Sequence, residues 1–172
     1  HADLSEVEQW IAKGQNLGLR TGKVSGVIVI DDDSPDGSAT AAMELPLTVT
    51  AITGSGKRHY YFAAPADFSV GNSVKTLAEG IDVRGDGGQV VFVGSLHPDT
   101  NKPYVWAPGC SPEDLPLAAL PEDLLQKLRP VTKPRMKIVK ETQPEDDPAA
   151  NQKRINAYVR AAIQGEIATL HA

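Results

Sequence analysis

Apolar and polar positions along this chain follow two periods, and those periods mark out its elements. Between Asp3 and Lys13, Val7, Trp10 and Ile11 recur at helical spacing, which predicts a short helix capped by Asp3 and ended by Gly14. Asn16–Thr21 reads as a strand and Gly22–Gly26 as a turn. Val27–Ile30 is an unbroken apolar run, mostly β-branched, and predicts a strand covered on both faces. Ser34–Ser38 reads as loop, and Ala39–Leu45 as a short helix stopped by Pro46. Leu47–Ile52, Arg58–Phe62, Gly80–Arg84 and Gln89–Val93 read as strands, with Tyr104–Trp106 as a further one and Pro121–Leu128 as a helix. From Pro130 to Pro148 the chain is charged, proline-punctuated and poor in large apolar residues, which predicts a linker. Helical spacing then returns over Ala150–Leu170, where Ile155, Val159, Ile163 and Ile167 form one stripe. Strands and helices mix without strict alternation, so the expected class is α+β. The expected division is a core over residues 1–129, a linker over 130–149 and the helical start of a following module over 150–172.

Composition narrows this only a little. A chain of 172 residues with 41% apolar content can bury one proper core. No apolar run approaches the roughly 20 residues of a membrane span, and the polar start from His1 to Glu8 does not read as a signal peptide. Cys110 stands alone, which excludes an internal disulfide and argues against a cysteine zinc site. A lone thiol fits a reducing cytoplasm, the expected compartment. Charge is uneven. Residues 1–130 carry 10 Lys+Arg and 17 Asp+Glu, a net of -7, whereas residues 131–172 carry 7 and 5, a net of +2. Nucleic-acid binders tend to be basic, so this balance tells against such a partner unless bound cations cancel part of the acidic excess.

Four segments carry candidate chemistry. In VIVIDDD, residues 27–33, a buried strand runs straight into three acids. Strand alternation puts Asp31 and Asp33 on one face and Asp32 on the other. Paired carboxylates at a strand end suit a hard cation such as Mg²⁺; an acidic loop capping the strand is the plainer reading. Asp36, in an Asp-Gly pair, reads as a turn residue. In TGSGKRHYYF, residues 53–62, a glycine-containing turn delivers Lys57, Arg58 and His59 at the start of a strand. Amides and cations together suit a phosphate, although the spacing is not that of a Walker loop and a basic hairpin is commonly just solvated surface. In EGIDVRGDGGQVV, residues 79–91, alternation sends Ile81 and Val83 to one face and Asp82 and Arg84 to the other. Asp82 can supply a third carboxylate with Arg84 beside it; taken alone, the segment reads more readily as a surface hairpin turning at Asp86-Gly87. In GSLHP, residues 94–98, Ser95 and His97 follow an apolar strand.

The order of these segments is more specific than any one of them. Apolar strand with Asp-x-Asp, then glycine-rich turn with His, then apolar-Asp resembles the three motifs of the archaeo-eukaryotic primase superfamily. The extended stretches NLGLRTGKVSGVIVIDDD, GSGKRHYYF and GIDVRGDGGQVVFVGSLHP resemble its bifunctional DNA primase/polymerase (Prim-Pol) family of phage and plasmid replication proteins, over roughly residues 4–128. The resemblance implies a core with an RNA-recognition-motif-like sheet beside a smaller α/β unit. It implies that Asp31, Asp33 and Asp82 are the metal-binding, catalytic carboxylates for two Mg²⁺ or Mn²⁺ ions. His59, with Lys57 or Arg58, is then expected at the nucleotide's phosphates, and Arg84, Ser95 and His97 at flanking nucleotide contacts. The implied partners are a single-stranded DNA template, a primer and NTP or dNTP, and the helix at Ala150–Leu170 resembles the start of a module that usually leads to a helicase. Three features depart from the family pattern: Asp32 stands where apolar residues are common, Lys57 stands where small residues are frequent, and residues that usually precede Leu4 are absent. Two other readings fit the same residues: a non-catalytic DNA- or nucleotide-binding replication module, and a metal-dependent phosphohydrolase with Asp31 as nucleophile.

Overall fold

The computed structural model describes residues 3–130. Apart from Pro130, the expected linker and the helix after it lie outside the described residues. Helix α1 (Leu4–Ala12) begins where expected, with Asp3 and Glu6 closing a reciprocal capping box. Among the described residues nothing covers its apolar stripe: no residue of α1 is buried, and Leu4 and Ile11 are exposed. Among the described residues, strand β1 (Gly18–Arg20) pairs only with β7 (Gln89–Val91), forming a two-stranded antiparallel ribbon.

The remaining strands make one sheet around β2 (Val27–Asp32). Its order is β5 (Ser73–Val74), β6 (Ile81–Arg84), β2, β4 (Arg58–Ala63), β3 (Thr50–Ile52) and β8 (Val105–Trp106). These neighbours all run antiparallel. The short β9 (Ala118–Ala119) pairs in parallel with the Phe62–Ala63 end of β4, beyond the part of β4 that β3 covers. With α2 (Ser38–Ala41) and α3 (Glu122–Leu128), the molecule is α+β as its pattern predicts.

The unbroken apolar run of β2 is explained by its position. Ile28 and Ile30 face a core completed by Phe62, Ile81, Val83, Val70, Leu120 and the α3 residues Leu124 and Leu125. Val29 faces the opposite side, among Val49, Ala51, Tyr61 and Val90, with Leu19 and Trp106 packed against them. A strand covered on both faces needs no alternation. Where one face is polar, alternation returns: Ile81 and Val83 of β6 are fully buried while Asp82 and Arg84 are half-buried.

Several expected elements are shorter. The helix expected over Ala39–Leu45 ends at Ala41, preceded by a 3-10 turn over Pro35–Gly37 in which Asp36 takes φ 55° as a turn residue. Met43 and Leu45 still pack on the core, so their apolar character reflects packing rather than helix. Only Thr50–Ile52 of Leu47–Ile52 joins the sheet.

Candidate active site

The pairing register builds the site. Asp31 stands opposite Asp82 on one side and opposite His59 on the other, and His59 in turn stands opposite Ala51. Directly paired residues point to the same face, so Asp82, Asp31 and His59 form one row across β6, β2 and β4. Two residues further along, Arg84, Val29 and Tyr61 form the next row. The face is therefore apolar at the Val29–Tyr61 level and turns acidic one pleat on.

Within that row the side chains meet. His59 Nε2 lies 3.4 Å from Asp31 Oδ1. Arg84 Nη2 donates to Asp82 Oδ2 at 2.9 Å and lies 3.8 Å from Asp31 Oδ2, so its guanidinium spans both carboxylates. His59 is 5% exposed, and its Nδ1 is buried without a hydrogen-bond partner among the described residues. The ring of Tyr104 packs on His59 at 5.7 Å between centroids and on His97 at 6.0 Å, the latter pair nearly parallel. The loop carrying His97 is docked closely on the glycine-rich turn: Thr100 Oγ1 donates to Gly54 O at 2.8 Å, and a side chain at Gly54 would collide with the carbonyl of Lys102.

Asp33 follows the strand. Partial desolvation, then the nearby charge of Asp31, raise its carboxyl above the ordinary value; Asp82 adds to this, while Lys57 and His59 oppose it. Tyr104 is likewise raised by burial and by the charges of Asp31 and Asp33. These couplings bring Asp33, Asp31, Asp82, His59 and Tyr104 into one electrostatic neighbourhood. Other expected contacts sit differently. Arg58 pairs with Asp32 and is exposed on the face opposite His59. Lys57 Nζ donates to the backbone carbonyls of Asp33 and Ser34 at 2.9 and 2.7 Å. Ser95 is 2% exposed, and its Oγ accepts from Leu17 N at 2.8 Å, which ties down the approach to β1. Asp86 accepts from Lys23 N and bonds Ser69, so it fastens a turn away from the row.

A family model described as Prim-Pol, the N-terminal domain of bifunctional DNA primase/polymerase, matches residues 1–123. The chain belongs to this family. A comparison with curated proteins finds no match. A Prim-Pol domain implies binding of DNA and nucleotide, and the family generally depends on divalent metal. The donors here fit that need in kind: Asp31, Asp33 and Asp82 offer the oxygen ligands a hard cation takes. As the side chains stand, no three such groups among the described residues are gathered closely enough to hold a metal ion. Arg84, bridging Asp82 and Asp31, occupies the position between the two carboxylates.

Sequence reasoning passed over Tyr104, Tyr61 and Asp32 as contributors. Tyr61 had a usable signal, since it lies two residues from His59 on one strand and must share its face. Tyr104 had none, because only the docking of its loop brings it to His59. Asp32 carries a buried hydrogen-bond network on the reverse face, with Ser34 and Thr40 as its partners.

Proposed function

We propose that this chain catalyses template-directed nucleotidyl transfer, making and extending primers in the replication of a phage, plasmid or other mobile element. The observation that carries the proposal is the single cross-strand row Asp82–Asp31–His59, with Arg84 spanning its carboxylates, in a member of the Prim-Pol family. Asp31, Asp33 and Asp82 would hold two Mg²⁺ or Mn²⁺ ions, which in such sites sharpen the attacking hydroxyl and neutralise the leaving pyrophosphate. The chain's own residues supply the rest. His59, buried against Tyr104 and Tyr61, offers a fixed imidazole beside the carboxylates, set to meet a phosphate oxygen. Arg84 releases one carboxylate and turns its fork to the triphosphate as nucleotide enters. Tyr104 and His97 shape one wall of the nucleotide's place. The apolar cluster at Val29 and Val49, on the same face as the row and one pleat along, keeps water from that end of it. The proposed partners are a single-stranded template with its primer and an NTP or dNTP, with a helicase module in the longer protein, in the cytoplasm of a bacterial or archaeal host.

Primer extension and de novo synthesis, each run with NTPs and dNTPs in Mg²⁺ or Mn²⁺, test this. Templated product that disappears in Asp31→Ala is expected; no product with any nucleotide and metal pairing would overturn the reading. The Arg84 bridge favours one second reading, a module that binds nucleotide without joining it. That reading expects saturable nucleotide binding with no extension.

A further inference from the structure

The acidic turn after β2 is fastened by two charged residues, Asp32 and Lys57. Asp32 is 1% exposed and lies on the face opposite Asp31. Its Oδ1 accepts from the amide of Ser34 at 2.9 Å and from the Ser34 hydroxyl. Its Oδ2 accepts from the hydroxyl of Thr40, which lies 3.2 Å from the Tyr60 hydroxyl. Ser34 Oγ also accepts from Ala39 N at 3.2 Å, so Asp32 draws the start of α2 back against the strand end. A buried carboxylate bonded at both of its oxygens is held in one place.

The second fastening comes from the glycine-rich turn. The Asp33 amide donates to Gly80 O at 2.8 Å. The Asp33 carbonyl accepts from Lys57 Nζ at 2.9 Å, and the next carbonyl, of Ser34, accepts from the same ammonium at 2.7 Å. The backbone on both sides of the Asp33 side chain is thus held, by β6's approach at its amide and by Lys57 at its carbonyl. Gly80 permits that closeness: a Cβ there would lie 2.9 Å from Ser34 Cα.

We infer that Asp32 and Lys57 are positioning residues for Asp33. They fix where its carboxylate points and act on the reaction only through it. Lys57 does so through backbone carbonyls, not as a cation on the nucleotide's phosphates. The inference rests on the reading above of Asp33 as a cation ligand. Groups that hold a ligand's orientation without touching the ion affect its affinity on the order of 10–100-fold.

The test uses Mn²⁺ titrated calorimetrically into the nucleotide-free chain, hydrogen exchange at the Asp33 amide, and steady-state primer extension. Lys57 is half-buried and off the core, so Lys57→Met retains the fold. It is expected to weaken Mn²⁺ binding about 10-fold or more, to speed exchange at Asp33 and to lower kcat while nucleotide KM holds. Thr40→Val, which removes one bond to Asp32, should move the same quantities in the same direction, and Thr40→Ser should restore them. A raised nucleotide KM in Lys57→Met with Mn²⁺ affinity and exchange unchanged would make Lys57 a phosphate contact and overturn the inference. Unchanged Mn²⁺ affinity in Thr40→Val would overturn the part assigned to Asp32. A wild-type chain that binds no Mn²⁺ overturns the underlying reading as well; one that binds it, with Lys57→Met binding equally, overturns only this inference.

Discussion

His59 combines near-complete burial with a ring nitrogen that has no partner among the described residues, and such a group is costly to keep unless it has a use. If that use is the nucleotide, His59→Ala should raise nucleotide KM or lower turnover by roughly ten- to a hundred-fold, the worth of one charge-assisted hydrogen bond. Template affinity should hardly move, because it rests on many phosphate contacts. Measuring KM, kcat, template Kd and melting temperature on one variant separates this from simple packing, in which all would fall together. Tyr61 presents the opposite case. Its hydroxyl is buried and unpartnered among the described residues, and burial, then the charge of Asp31, push its phenol well above the ordinary value. Tyr61→Phe should therefore stabilise the fold by on the order of 1 kcal/mol in urea unfolding; a loss would reveal a partner for the hydroxyl. Asp32 and Asp33 titrate in opposite senses. Asp33 is raised in the folded chain, so the native state binds its proton more readily and stability falls as pH rises from the ordinary carboxylate value through the native one. Asp33→Asn should then gain stability over wild type at neutral pH, with the gain shrinking in acid. Asp32 is lowered, so its contribution is present above the ordinary value and is lost as pH falls through the native one. Asp32→Asn should lose stability at neutral pH and converge on wild type in strong acid.

At the scale of elements, β2 is the axis of both fold and site, and it was legible because Val27–Ile30 announces a strand buried on both faces. The alternation of Ile81 and Val83 against Asp82 and Arg84 was legible for the same local reason. What local sequence does not contain is the register. Asp31 meets both Asp82 and His59 only because β2 lies between β6 and β4 in one particular alignment, and a shift by one residue would turn the acids to the other face. The three-motif order pointed to that convergence through family resemblance rather than through periodicity. β5 and β9 escaped notice because two residues are too few to show a period. Arg58 and His59 looked like one basic group in sequence, yet adjacent strand residues face opposite ways, and only His59 shares the face of Asp31. The turn into β6 offers a test at this scale. Gly80 has φ +76° and sits against the Ser34 backbone. Gly80→Ala should cost about 1–3 kcal/mol from the left-handed conformation alone. It should also reduce synthesis more than that stability loss explains, because the Asp33 amide bonds the Gly80 carbonyl. Activity that tracks stability alone would detach this turn from the site.

For the whole molecule the main tension is electrostatic. The chain carries a net charge of -5, and its proposed partners are polyanions. Clustered acids on one sheet face add to the repulsion locally, and Arg84 is the cation that spans them there. Replacing both Asp31 and Asp33 by Ala removes two like charges while leaving the cores on either side of β2 untouched, since neither residue belongs to them. The melting temperature of the double variant should hold or rise, because the mutual repulsion goes with the charges. Its affinity for single-stranded template in the absence of divalent metal should be equal to or tighter than that of wild type, since less negative charge faces the phosphates. Adding Mn²⁺ should tighten template binding by wild type and leave the double variant unchanged, and synthesis by the variant should be abolished. Full synthesis in the double variant would remove these carboxylates from the chemistry. A collapsed melting transition would show instead that the acids hold the strand end in place, and the repulsion argument would fail with it.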